Sequence, residues 1–133
     1  QPRTYSAFGA VQTSNLVPFK TETLTLAEAL AQVGGLRDDR ATPGGVFLFR
    51  KEPADLAYAL APRQWVDSFN GEVPVIYRLD FSQPRALFLA RDFKMRDKDI
   101  IYVANHPSTE FSKLLSIIAP MLGVTRNVIV LTD

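Results

Sequence analysis

Every apolar run in this chain is short, and that brevity limits the folds open to it. The strand-like runs "TYSAFGAV" (residues 4–11), "VFLFRK" (46–51), "VPVIYRLDF" (73–81) and "IIYVAN" (100–105) are separated by turn clusters. The helix-like runs between them span only about two turns each. A parallel crossover needs a dozen or more connecting residues, so a series of βαβ units is disfavoured. A compact α+β sheet with a helix across one face fits the spacing better. No apolar run approaches the roughly 20 residues of a membrane-spanning helix.

Local signals place the elements. "TYSAFGAV" alternates small or polar with apolar residues, and "NLVPF" (15–19) follows a polar turn, which together predict a hairpin. In "TLTLAEALAQVGGL", Thr25 is a helix cap with Glu28 in the capping-box position, and Gly34-Gly35 supplies a left-handed stop. The spacing predicts a helix over 26–33 with Leu26, Leu30 and Val33 on one face. "EPADLAYALAPRQWVDSFNGE" is broken by Pro53 and Pro62 and closed by Asn70-Gly71; it reads as an insertion, about residues 52–72, with a turn or two of helix. In "SQPRALFLARDF", Ser82 is the expected cap and Pro84 belongs to the first helical turn. From Pro107 a second helical pattern sets Phe111, Leu114, Leu115, Ile118, Met121 and Leu122 at three- and four-residue steps, until Pro120 and Gly123 interrupt it; "RNVIVLTD" then reads as a strand. At about 16 residues and 1.5 Å per residue this helix falls short of a ~30 Å hydrocarbon core. Docking on its own domain, on neighbouring subunits or on lipid are all open to it.

Chemistry is hard to find. The 133 residues suit one domain, 1–105, with a C-terminal helix and tail, 106–133. A net charge of +1 with mixed acids and bases gives no footprint for nucleic acid. The absence of cysteine removes disulfides, thiol catalysis and thiolate metal sites. The single histidine, His106, has no imidazole partner for a metal site and reads as a cap or surface residue. Gly34-Gly35 and Gly44-Gly45 lack the Lys-Ser/Thr of a phosphate loop and read as turns. The charges of "RDDR" (37–40) and "RDFKMRDKD" (91–99) read as solvated faces rather than as a paired acid and base. Tyr58, Trp65, Phe69 and Tyr77 can be read as a stacking platform for sugar rings, but more simply as core and loop anchors. No catalytic residue, metal ligand or cofactor motif is identified, and no enzyme activity is expected.

The residues do carry a resemblance. "VIYRLDFSQPRALFLARDFKMRDKDIIYVAN" (75–105) resembles the C-terminal part of the outer-membrane polysaccharide export proteins of Gram-negative bacteria, in the capsule-exporting branch. "FGAVQ…LTLAEALAQVGGL…GGVFLFR" (8–50) resembles the start of their SLBB domain, the soluble-ligand-binding β-grasp module, where a hairpin precedes a "TLxEALAxAGGL" helix and a strand ending in Arg. The matching residues are Thr25, Leu26, Glu28, Ala29, Leu30, Ala31, Gly34, Gly35 and Leu36, then Arg50. Where family members commonly carry Pro-Gly after the first strand, this chain has "QTSNLVPF".

The resemblance implies a β-grasp-like SLBB domain followed by a C-terminal amphipathic helix, acting as a non-catalytic conduit module of a capsule translocon in the periplasm and outer membrane. It implies a chain that is the C-terminal piece of a longer lipoprotein, with an export domain and lipid-bearing cysteine upstream. Partners by the same resemblance are capsular polysaccharide, identical subunits in a ring, and an inner-membrane polysaccharide co-polymerase. The outer membrane is reached mostly through segments outside this chain. Expected contacts with polymer or neighbours are Arg37, Asp38, Asp39, Arg40, Arg63, Trp65 and Asn70, and the helical stripe from Phe111 to Leu122 faces a partner or the membrane. The rival reading is a stand-alone soluble module that binds sugars or another small ligand.

Overall fold

The computed structural model describes residues 2–11, 15–34, 45–60, 71–104 and 129–132. Its elements run β1 (Thr4–Gly9), β2 (Asn15–Pro18), α1 (Leu26–Gln32), β3 (Val46–Pro53), α2 (Ala54–Leu60), β4 (Glu72–Leu79), α3 (Pro84–Asp92), β5 (Asp99–Val103) and β6 (Ile129–Thr132). Among the described residues the strands form one sheet in the order β2-β1-β5-β3-β4-β6, so the α+β class expected from the spacing holds.

The expected first hairpin is present, with Tyr5 opposite Val17 in an antiparallel β1–β2 pair. β3 pairs antiparallel with β4 along its whole length, from Val46 opposite Leu79 to Pro53 opposite Glu72. The strand therefore takes in Glu52 and Pro53, which the sequence had assigned to the insertion; α2 follows at once, and the Ala54 N–H donates to the Gly71 carbonyl at 2.9 Å. β5 enters between the hairpin and β3, antiparallel to β3 but parallel to β1, with Ala7 beside Ile101. β6 runs parallel to β4, Val75 beside Ile129. Both parallel pairs join segments far apart in the chain, so they arise without consecutive βαβ units.

The described helices sit where local signals put them, with one change, and the helix expected from Pro107 lies outside the described residues. The Thr25 hydroxyl accepts from the Glu28 N–H at 3.2 Å and the Glu28 carboxylate accepts from the Thr25 N–H at 2.9 Å, completing the capping box. Gly34, at φ +83°, turns the chain out of α1. Ser82, however, does not cap α3. Its N–H donates to Asp80 at 2.9 Å and its hydroxyl donates to the same carboxylate. The Asp80 turn engages Ser82 first, and the helix starts one residue later from Gln83, which makes no side-chain cap bond.

The main core lies between one face of the sheet and the pair α1 and α3. Leu26, Ala29 and Leu30 from α1, with its C-cap Val33, meet Tyr5, Ala7, Val46, Leu48, Ile101 and Val103 from the strands, all buried. Each fully buried aliphatic side chain of this kind contributes about 1.5–3 kcal/mol relative to exposure. The Tyr5 hydroxyl donates to the Ala29 carbonyl at 2.9 Å and to Gln32 Oε1 at 2.7 Å, tying β1 to the end of α1. α3 faces inward with the small Ala86 and Ala90 and outward with Leu87, Phe88 and Leu89, which are 57%, 64% and 43% exposed. On the other face of the sheet Phe47, Phe49 and Ile76 are buried as well.

At the end of β1, Gly9 adopts φ +88°, and a Cβ there would lie 2.2 Å from the Val103 carbonyl oxygen. That oxygen accepts the Ala10 N–H at 2.8 Å, so the close approach is part of the β1–β5 join.

Candidate functional site

Strand register gathers the site. Arg50 and Glu52 share a face of β3 because strand side chains alternate, and Tyr77 projects from the same face of β4, opposite Leu48. β5 begins at Asp99, beside Arg50, since Phe49 lies opposite Ile100. The segment between α3 and β5, residues 93–98, closes over this end of the core.

The resulting network is buried and mutually satisfied. Arg50 donates through Nε to Asp99 Oδ1 at 2.9 Å and through Nη2 to Asp99 Oδ2 at 2.5 Å, a two-pronged pair with both side chains at most 5% exposed. The same Nη2 also donates to the Lys94 carbonyl at 2.9 Å. Asp99 Oδ2 accepts in addition from the Arg96 N–H at 2.7 Å. Glu52 accepts from Arg96 Nη1 at 2.5 Å and from the Tyr77 hydroxyl, and lies 4.0 Å from Arg50 Nη1. The Arg50 guanidinium rests over the Phe93 ring, 4.8 Å from its centroid, and that ring meets Tyr77 edge-on at 5.3 Å.

Burial sets the electrostatics. It pushes the Asp99 carboxyl above its ordinary value, and the donors from Arg50 and Arg96 oppose that rise. The Tyr77 phenol is pushed up by burial first and by its bond to Glu52 second. Every carboxylate oxygen of Asp99 and Glu52 accepts from a protein donor, so neither acid stands ready to take a proton from a substrate. Among the described residues no group of three His, Asp or Glu side chains can hold a metal ion, and no helix is long and apolar enough to cross a membrane.

Beside this network lies a cleft of about 640 Å³, lined by Phe49, Arg50, Lys51, Pro53 and Glu72 on one side and residues 96–100 on the other. Its origin is a mismatch of strand lengths. β5 starts beside Arg50, whereas β3 runs on to Pro53 with β4 alone as its partner among the described residues. The β3 overhang and the turn before β5 form the two walls.

Residues 3–103 match the family model described as the SLBB domain. The chain belongs to the SLBB domain family. Across 96% of its length it is 37% identical to the capsule polysaccharide export protein BexD of Haemophilus influenzae, covering 34% of that protein. Across 99% of its length it is 32% identical to the capsule polysaccharide export outer membrane protein CtrA of Neisseria meningitidis, covering 35% of it. The Vi polysaccharide export protein VexA/TviF of Salmonella typhi is 33% identical over 68% of this chain and 22% of its own. This SLBB domain thus spans about a third of the length of the first two relatives.

Of the contact residues expected from the sequence, Arg37, Asp38, Asp39, Arg40, Arg63, Trp65 and Asn70 lie outside the described residues, as do His106, Phe69 and the stripe Phe111, Leu114, Leu115, Ile118, Met121 and Leu122. Tyr77 is the core and strand residue that the simpler reading made it, while Tyr58 is exposed on α2. The reading of residues 91–99 as a solvated face is wrong for Asp99, which is 2% exposed. The signal for it stood in "FRKE": two opposite charges at i and i+2 directly after an apolar strand point the same way as that strand's core residues.

Proposed function

We propose that this SLBB domain is a non-catalytic structural module of a capsular polysaccharide export protein, working in the periplasm at the outer membrane. The observation that carries the reading is the alignment of nearly the whole chain with proteins whose names are those of polysaccharide exporters. The site supports it: the two buried acids are spent on holding β3, β4 and β5 together, which suits a rigid frame better than acid–base work. Copies of the module pack side by side around a polymer conduit in a ring of full-length subunits, and an inner-membrane polysaccharide co-polymerase docks on that ring. Polymer or neighbours meet Arg37, Asp38, Asp39, Arg40, Arg63, Trp65 and Asn70, and the segment 107–123 carries contacts beyond the domain. A conduit works through shape and weak polar contacts, because tight binding would stall a sliding polymer.

The test is removal of the module from the full-length protein. Loss of surface polymer, with the shortened protein still delivered to the membrane, is the expected result; undiminished surface polymer would overturn the reading. Incubation of the chain with capsular polymer should leave polymer length unchanged, and shortening would restore an enzymatic role. A second reading, a stand-alone sugar- or small-ligand-binding module, draws on the cleft beside Arg50. It requires saturable ligand binding together with export that survives removal of the module.

A further inference from the structure

The second face of the sheet is apolar and buried, and α1 and α3 lie on the other side of it. Strand alternation puts Phe47 and Phe49 of β3, Pro74 and Ile76 of β4 and Ile100 of β5 on this second face. All five are buried. Burial stops short of β1, whose Phe8 on the same face is 39% exposed. The cover therefore lies over β5, β3 and β4 and leaves the hairpin open. Among the described residues α2 packs on β3 and β4, but it is rooted at their Pro53–Glu72 end, where the Ala54 N–H meets the Gly71 carbonyl. Phe47 lies about 20 Å along the strand from that end, twice the ~10 Å length of α2.

Connectivity supplies the missing cover. β2 leads to β3 through α1, and β4 leads to β5 through α3; each connection joins parallel strands, with its helix on the first face. The two cross the sheet in opposite directions and start from oppositely directed strands, so they have the same hand. Such crossovers are right-handed in about 98% of cases. The connection from β5 to β6 also joins parallel strands, because both run with β4. It starts from a strand directed as β4 is, yet it crosses away from the hairpin instead of towards it. To keep the same hand it must pass over the second face, across β3 and β4. The distances suit it. The chain leaves the sheet at Ala104, whose N–H donates to the Gly45 carbonyl at 2.8 Å, and re-enters at Ile129 beside Val75. Those points are about 14 Å apart across the strands and about 13 Å apart along them. A helix of about 16 residues, the length its sequence period gives, is about 24 Å long and spans that diagonal.

We infer that the segment 105–128, which lies outside the described residues, crosses the second face of the sheet and sets its apolar stripe from Phe111 to Leu122 on Phe47, Phe49 and Ile76. The occupant of this face is the chain's own segment, rather than lipid or a neighbouring copy. The inference stands on strand order and burial and does not use the export reading. It narrows one part of that reading: what the segment offers beyond the domain comes from its polar side, where Glu110, Ser112, Lys113 and Ser116 fall. β6 is then the strand that ends the crossover and anchors it against β4.

The 133-residue chain contains no cysteine, so a single label can be placed without background. The test attaches a nitroxide to Ser112→Cys and reads which backbone amide signals it broadens. The expected result is broadening in residues 47–49, 74–76 and 100–102, with 26–32 and 84–92, behind the sheet, spared. Broadening of α1 and α3 instead, or none in the sheet, would overturn the inference. Mixing the labelled chain with isotope-enriched unlabelled chain separates a second copy from the chain's own segment, and broadening that persists in that mixture would also overturn it. Leu115→Asp and Ile118→Asp should each lower the melting temperature by about 5 °C or more, while Phe88→Asp on the exposed α3 ridge should leave it near the parent value. Equal melting temperatures in all three variants would count against the docked stripe. A failure here leaves the export reading standing, since loss of surface polymer on removing the module does not depend on where the stripe packs.

Discussion

Arg50 is the residue on which the most groups depend, since it reaches Asp99, the Lys94 carbonyl and the Phe93 ring at once. Replacing it with Met leaves Asp99 buried without its cation while Glu52 keeps Arg96, and a urea melt should show a loss of about 3–5 kcal/mol. The double variant Arg50→Met with Asp99→Leu should lose less than the sum of the two single changes, because no orphaned carboxylate of that pair remains. Tyr5 gives a second residue-scale prediction. Burial pushes its phenol up to about 12, so its folded pKa exceeds the unfolded value near 10. Its contribution is fully present below about pH 10 and is lost as pH climbs toward 12. Tyr5→Phe should lose about 1 kcal/mol at neutral pH through its two hydrogen bonds, and in a tyrosinate absorbance titration it should remove a late-titrating group. These roles were poorly legible in the sequence for a shared reason. Asp99 sits in a run of alternating charges that reads as solvent-facing, and only its pairing with a strand 49 positions away buries it.

Elements defined by neighbours in the chain were legible. Thr25, Glu28 and Gly34 fix α1 through contacts spanning a few residues, so their pattern is visible without the fold. Thr25→Ala should accordingly cost about 1 kcal/mol, measured as a lowered denaturation midpoint. Ser82 shows the limit of the same reasoning, since two rules compete there and Asp80 wins over the helix cap. β3 outran its expected end because Glu52 and Pro53 pair with residues beyond the insertion. α3 follows the inward use of Ala86 and Ala90 rather than of its large residues, leaving Leu87, Phe88 and Leu89 outside. Phe88→Lys should therefore shift stability by no more than about 0.5 kcal/mol.

For the molecule as a whole, the α+β class was legible from run lengths, while the strand order was not, because register between distant strands is set by packing rather than by local pattern. Since ring formation is proposed for full-length subunits, the chain alone should sediment as a monomer or a weak oligomer; a tight closed ring at micromolar concentration would contradict that. One further consequence follows from β5 lying between the hairpin and β3. Tyr5, nearly the first residue of the sheet, rests beside Asp99, nearly its last inner strand. The first hairpin has α1 to pack on but gains no further strand neighbour until β5 is made, so completing the sheet waits on the closure of a very long loop. A chain threaded through a narrow passage from its N-terminal end would stay pliable during transit and lock only once β5 arrives.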